Sequence, residues 1–156
     1  FLTFTRQYTP ELEPHDLNII LEEIVSILEK DPQHRKTVFT LELDRSIGPV
    51  HIDGDGIKRV LWNVILNGLQ AIEGEGGITV RSVNGEENIT VQIHDTGRGI
   101  PEDIRDRIFE PFFTEKEKGT GLGLPLADKV IKAHGGVIAV ESERNSGTLV
   151  SITIPK

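Results

Sequence analysis

In KRVLWNVILNGLQAI, Asn63, Asn67 and Gln70 stand four and three residues apart, which puts three side-chain amides on one face of a helix. Asparagine is a mediocre helix former. Two of them one turn apart are either chance residents of a solvated face or present for their chemistry. An amide oxygen is a hard, neutral ligand, and such residues can hold a magnesium ion together with the phosphates it neutralises. A second cluster is DTGRGI at 95–100, an acid and two glycines directly after the alternating run NITVQIH. Taken alone, a β-turn with a polar residue at its start accounts for it. The third is KGTGLGLPLADKVIKAHGG, in which Gly119, Gly121 and Gly123 lead straight into a helical pattern. Backbone N–H groups freed of side chains at a helix N-terminus can cradle phosphate. The loop follows no strand and lacks both the Rossmann context and the Walker Lys-Ser/Thr pair, so a mononucleotide-binding βαβ fold is disfavoured.

These clusters need elements to position them. Residues 1–15, with two prolines and no clean period, read as a tail or linker. Asp16 can cap a helix through LNIILEEIVSILEK, which stops at Asp31-Pro32. TVFTLEL (37–43) alternates like a strand. The amide-bearing helix spans about residues 55–72, with Leu61, Val64, Ile65, Gly68 and Ile72 opposite the amides, and it ends in the glycine cluster GEGG. ITVRSV (78–83) and ITVQIH (89–94) form an antiparallel hairpin across NGEEN. A third helix, about 122–134, stops at Gly135-Gly136, and VIAVES (137–142) with TLVSITI (148–154) make a closing hairpin. The expected fold is α+β: a two-layer sandwich with three main helices on one face of a mixed, mostly antiparallel sheet.

Composition excludes several classes. The 156 residues suit one domain with a core of its own, and the absence of cysteine rules out disulfides and thiolate zinc sites. A formal net charge of −8 argues against nucleic acid or an anionic membrane as partner. No apolar run approaches the ~20 residues that span a bilayer. No two of the five histidines have metal-ligand spacing. His15, in PHDLN, reads as linker and His134 as a helix end, while DGDG at 53–56 reads as a turn and cap. The chain begins at Phe1 without a methionine and is expected to be part of a longer protein.

The ordered pieces NVILN, DTGRGI, FEPFFTEK, GTGLGL and SGTLVSITIP resemble the N, G1, F and G2 boxes and closing Gly-Thr strand of the catalytic ATP-binding domain of sensor histidine kinases. The resemblance covers residues 16–156, and 1–15 resemble the stretch leaving such kinases' dimerisation helices. The short segment between FFTEK and GTGLGL is similar to the compact-lid, nitrogen-regulation type. The resemblance implies the Bergerat ATP-binding fold, with ATP bound, ADP as product and Mg2+ bridged by Asn67. It implies that Asp95 accepts from the exocyclic amine of adenine, with Gly97 and Gly99 shaping that turn and Thr148 on the same floor. Asn63 matches the companion amide one turn earlier. Lys116 matches a phosphate-reaching lysine. Gly119, Thr120, Gly121, Leu122, Gly123 and Leu124 match the phosphate loop, and Gln70 is placed in the same site.

Partners implied by the resemblance are the dimerisation and histidine-phosphotransfer domain of the same kinase and a response-regulator receiver domain. A cytoplasmic location, a monomeric fragment and a homodimeric parent follow likewise. This sequence departs from the family pattern at Gly68, where alanine is usual, at Glu115, where Thr-Thr-Lys is common, and at Gln70, where many relatives carry a cation. Arg98 faces either phosphate or solvent. ATP-hydrolysing relatives carry a glutamate at the place of Asn63, and an amide cannot accept a proton at neutral pH. The expected activity is therefore transfer of the γ-phosphoryl group to a protein histidine supplied elsewhere, mainly by positioning and charge neutralisation. The alternative is a regulatory module of the same fold that signals by lid movement without phosphoryl transfer.

Overall fold

The structure is a computed structural model that describes residues 7–110 and 124–156. Its centre is a five-stranded sheet in the order β2-β4-β5-β7-β6, with a two-stranded sheet, β1-β3, beside it. The strands are β1 (Glu13–His15), β2 (Thr37–Glu42), β3 (Val50–Ile52), β4 (Gly76–Asn84), β5 (Asn88–Asp95), β6 (Val137–Ser142) and β7 (Thr148–Pro155). Three main helices, α1 (Leu17–Glu29), α2 (Gly54–Ala71) and α4 (Leu124–Ala133), cover one face, and a single turn, α3 (Glu102–Arg105), follows the β5 turn. β2 pairs parallel to β4, and the other pairs are antiparallel. The sheet is therefore mixed and mostly antiparallel, as the pattern of hairpins and helices predicts.

Register explains which face is covered. Val80, Ile93 and Val150 are cross-strand partners and all are buried, as are Ser82, Val91 and Ile152 in the next row. The intervening row Arg81, Gln92 and Ser151 looks the other way, towards solvent. Side chains of period two thus give an apolar inner face and a polar outer one. Against the inner face α1 packs Leu21, Ile24 and Leu28, α2 packs Ile57, Leu61 and Ile65, and α4 packs Ala127 and Ile131. Each fully buried Leu or Ile stabilises the fold by roughly 1.5–3 kcal/mol.

The helix starts are chemically specified. Asp16 caps α1, accepting from Asn18 N at 2.9 Å and Ile19 N at 3.3 Å. Asn18 is buried yet satisfied: Ser82 Oγ donates to its Oδ1 at 2.7 Å, and its Nδ2 donates to Asp44 O at 2.9 Å. That bridge fixes α1 to β4.

The structure adds order to residues 7–15, within the stretch whose sequence reads as a tail or linker. Glu13–His15 pair with Val50–Ile52, two segments too short for a periodicity signal, and the His15 ring packs against the backbone of Gly54. Tyr8 donates its hydroxyl to Asp53 Oδ2 at 2.6 Å. Asp53 caps α2 through Gly56 N at 3.2 Å, and its own N–H donates to His134 Nε2 at 3.0 Å. His134 Nδ1 lies 2.8 Å from Val130 O, so both ring nitrogens have a partner, Nε2 accepting from Asp53 and Nδ1 donating to Val130. The Tyr8 hydroxyl and the backbone N–H groups of Gly56 and Glu11 hold the Asp53 carboxyl below its ordinary pKa, against a smaller effect of burial. Burial and the neighbouring Asp53 carboxylate push the Tyr8 phenol upward. DGDG is a turn and cap, as expected.

Candidate functional site: an acid-floored pocket between two helices

The last inward-facing row of the sheet is Ile78, Asp95, Thr148 and Ser142, each the cross-strand partner of the next. The same alternation that buries Ile89, Val91 and Ile93 turns Asp95 inward, leaving it 5% exposed. Here the apolar face becomes polar. Asp95 Oδ1 accepts from Gly97 N at 2.8 Å, an Asx-type turn that redirects the chain. Burial pushes the Asp95 carboxyl above its usual range, and N–H donors from Gly97 and Thr148 with the neighbouring His94 ring and Arg98 guanidinium oppose that rise. A buried carboxylate with unused oxygen capacity strongly favours a ligand that donates a hydrogen bond.

A pocket opens over this row, lined by Val64, Asn67, Gly68 and Ala71 of α2, by Asp95, Arg98, Gly99 and Ile100, by Leu124 of α4, and by Val140, Thr148 and Val150 of the closing hairpin. Its walls are mostly apolar, with an acid on the floor and a few polar groups around it, the usual make-up of a small-molecule site. Of the candidate site residues, Asn67, Asp95, Gly99, Leu124 and Thr148 are brought together on its lining. Gly97 packs directly against Ala71, where a Cβ would lie 2.7 Å from its carbonyl carbon, so it shapes the turn from behind. Asn63 is half-buried one turn before Asn67, and Gln70 is exposed, its carbonyl accepting from Arg98 Nη1 at 3.4 Å. Neither lines the pocket. Lys116, Gly119, Thr120, Gly121, Leu122 and Gly123 lie outside the described residues.

Two features of the site escape sequence reasoning. Gly68 and Val64, assigned to the core side of the amide helix, line the pocket beside Asn67. Consecutive helical residues are only 100° apart, so a wall reached by Asn67 also reaches Gly68. A Cβ on Gly68 would stand 3.0 Å from Ile78 Cδ1 and 3.3 Å from Asp95 Oδ2, so the glycine gives the carboxylate its space. The other is Ser142, buried at the end of β6. Its Oγ accepts from Ile100 N at 2.7 Å and donates to Gly147 O at 3.0 Å. With its single hydrogen so used, the Thr148 hydroxyl 2.8 Å away donates to Ser142. Arg105 donates to the Ser142 carbonyl. Ser142 therefore ties the turn after Asp95 to the closing hairpin. Its inward parity in VIAVES is the only signal in the sequence.

The glycines make that junction close. Gly99 has φ +72°, and a Cβ there would lie 1.9 Å from Glu143 O; Gly147 has φ +85°, with Asp95 O at 2.1 Å. Backbone lies on backbone on both sides of the pocket floor. The Asn67 side-chain NH2 is shut off from solvent without a partner among the described residues. An unsatisfied buried donor costs about 1–3 kcal/mol, so a ligand oxygen at this wall is favoured. Among the described residues no three His, Asp or Glu cluster as a metal site. A cation here would take one neutral amide and depend on its ligand's own oxygens for the rest.

Comparison with known proteins agrees with this architecture. Residues 52–156 match the family described as "Histidine kinase-, DNA gyrase B-, and HSP90-like ATPase". The chain is 33% identical over 155 residues to the signal transduction histidine-protein kinase AtoS of Escherichia coli (strain K12), covering 99% of this chain and 26% of that protein. It is 34% identical over 156 residues to sporulation kinase D of Bacillus subtilis (strain 168), covering 99% of this chain and 31% of that protein. The chain thus spans about a quarter to a third of the curated relatives it matches. Among solved structures, the catalytic domain of histidine kinase ThkA superposes with a TM-score of 0.85 at 34% identity, covering 94% of this chain and 96% of that one. A structure of ThkA in complex with the response regulator protein TrrA gives 0.83 at 29% identity, covering 99% of this chain and 45% of that one. With an acid-floored pocket between α2 and α4 and sensor histidine kinases as its relatives, this chain belongs to the histidine kinase-, DNA gyrase B- and HSP90-like ATPase family.

Proposed function

We propose that this domain binds Mg-ATP and donates its γ-phosphoryl group to a histidine on a separate dimerisation domain, from which it passes to a response-regulator aspartate. The observation that carries the reading is the inner row of the sheet, where Asp95 and Thr148 floor a pocket whose α2 wall presents Asn67, its side-chain NH2 without a partner among the described residues and free to donate to a ligand oxygen. Asp95 accepts from the adenine amine, and guanine, with a carbonyl oxygen in that place, is rejected. Asn67 holds the magnesium with the phosphates, and Asn63 supports it one turn earlier. When bound, magnesium supplies charge neutralisation at the phosphates. Lys116 and the loop from Gly119 to Leu124 complete the phosphate contacts.

None of the three side-chain amides on α2 can take a proton from water at neutral pH. The domain holds and orients ATP while leaving the γ-phosphoryl group for an incoming imidazole. The residues before 16 lead to the dimerisation domain, and the phosphorylated parent is a homodimer acting at the cytoplasmic side.

The metal assignment has its own test. Asn67→Ala is expected to weaken ATP binding by roughly tenfold with magnesium present and by much less with chelator, since only the metal bridge is lost. Thermal shifts under the two conditions report this, because ligand stabilisation follows affinity. Equal losses would place Asn67 away from the metal. The transfer itself is tested with γ-labelled ATP. The chain alone is expected to bind ATP yet neither label itself nor release phosphate at an appreciable rate. Adding a separately made dimerisation domain of the parent kinase restores slow labelling of that domain, acid-labile and alkali-stable, slow because the tether's effective concentration is gone. Label on this chain alone, or rapid phosphate release without acceptor, would overturn the reading.

A further inference from the structure

The pocket has a second pole. Among the described residues that line it, Arg98 is the one cation, and it stands three residues from Asp95 on the same turn. Its backbone is pinned on both sides: its N–H donates to Ala71 O at 3.1 Å, and its carbonyl accepts from Asn145 N at 2.5 Å. Gly97 and Gly99 flank it, both held in contacts that no larger residue allows. The exposed side chain runs to the C-terminal end of α2, where one N–H donates to Gln70 O at 3.4 Å. A cation at the carbonyl end of a helix is electrostatically favoured, so the guanidinium is kept beside the pocket mouth. Gln70, on the same turn of the helix, brings no charge. Arg98 also acts on Asp95, opposing the effect of burial on that carboxyl.

We infer that Arg98 is the residue that recognises the α-phosphate of the bound nucleotide. The inference rests on the adenine nucleotide reading of the pocket. Three residues of chain span at most about 11 Å, so the rim cation stays close to the floor acid. With the base amine on Asp95, the phosphate nearest the base is the anion that a cation so tethered meets; the terminal phosphates lie further along α2, towards Asn67 and Asn63. Only one of five guanidinium N–H groups is directed at Gln70, and a planar fork can keep that bond while pairing a phosphate with the others. Arg98 would then measure whether a ligand carries an anion beside its sugar, leaving base choice to Asp95.

The test is an NMR titration of the 15N-labelled chain with adenosine, AMP and ADP, without magnesium, at low ionic strength. In Arg98→Gln, AMP and ADP are expected to weaken alike, by about threefold to tenfold, as for a rim-exposed ion pair. Adenosine should bind both proteins equally, and added salt should erase most of the difference between them. Arg98→Lys should recover part of the AMP affinity. An equal loss for adenosine would mean that the guanidinium packs on the base, and unchanged AMP affinity would leave it a solvated surface group. A loss for ADP without one for AMP would move it to the β-phosphate. Each of these overturns the inference while leaving nucleotide binding intact. An unmutated chain that binds none of the three ligands would instead remove the nucleotide reading and this inference with it.

Discussion

Asp95→Asn is expected to abolish the pocket's preference for adenine while making the empty domain more stable. In the unmutated chain ADP should bind at least tenfold more tightly than GDP. The substitution keeps an oxygen for Gly97 N, which Asp95 Oδ1 occupies at 2.8 Å, but turns an NH2 group towards the ligand. A donor would then face the donor of adenine. Losing a hydrogen bond to a charged group costs about 1.5–3 kcal/mol, which is roughly 10- to 150-fold in ADP affinity. Stability moves the other way. Burial raises the folded-state pKa of Asp95 above its unfolded value, so the folded protein holds that proton more tightly. Stability from this group is fully present below the unfolded pKa and declines as pH rises through the folded one. Above the unfolded pKa, burying this acid costs stability, and the amide, which has no charged form, removes that cost. Each 1 kcal/mol recovered raises Tm by about 2–4 °C in a domain of this size. Calorimetric titration with ADP and GDP, with melting curves at pH 4 and pH 7, checks both halves. A variant less stable than the parent at pH 7, or one that still selects ADP, would refute the account.

The second large effect is on folding. Three glycines differ in what an added methyl meets. Gly48 has open space and no left-handed backbone, Gly74 has open space at φ +77°, and Gly99 has φ +72° with Glu143 O only 1.9 Å from a Cβ. Gly48→Ala should therefore change stability little. Gly74→Ala should cost about 1–2 kcal/mol, the penalty of a left-handed residue with a side chain. Gly99→Ala adds a collision between two backbones held together through Ser142, and should cost about 3 kcal/mol or more. That is a fall in Tm of roughly 6–12 °C. Denaturant melts of the three variants separate strain from crowding. If Gly99→Ala melted like Gly74→Ala, the close approach of the β5 turn and the closing hairpin would be wrong.

The extent to which these features can be read from sequence depends on how local their causes are. Asp16, Asp53 and the Gly135-Gly136 stop act within a few residues of themselves, and the three main helices are legible from them. The two hairpins alternate over six residues or more and are legible for the same reason. β1 and β3 are three residues each, and what makes them strands is one another, across 36 intervening residues or so. Their pairing is invisible until the chain is folded. In the site, Asp95 and Thr148 are marked by motif and also by parity. Carrying the alternation of NITVQIH one residue further puts Asp95 on the buried face. Ser142 and Gly68 are different. Their roles exist only because β6, β7 and α2 bring other backbones against them, and neither residue type carries that information. Gln70 stands about 60° round the helix from Asn67 on the side away from Gly68 and Ala71, so its side chain is exposed although Ala71 still lines the pocket.

The meeting of Tyr8, Asp53 and His134 turns the entry of the chain into a mechanical terminal. Force entering at residue 7 is carried first by the Tyr8 hydroxyl bond and the β1–β3 ladder, and both converge on the residue that caps α2. The backbone N–H of that same residue is anchored to the far end of α4 through His134. A displacement of Asp53 by a fraction of an ångström therefore strains two levers at once. One is α2, stiff over its 18 residues, with Asn67 some 20 Å down its axis. The other is α4, whose opposite end presents Leu124 to the pocket. A pull on the backbone at residue 7 would reach both walls of the pocket through Asp53, its carboxylate leading to α2 and its N–H to α4, without passing through the five-stranded sheet.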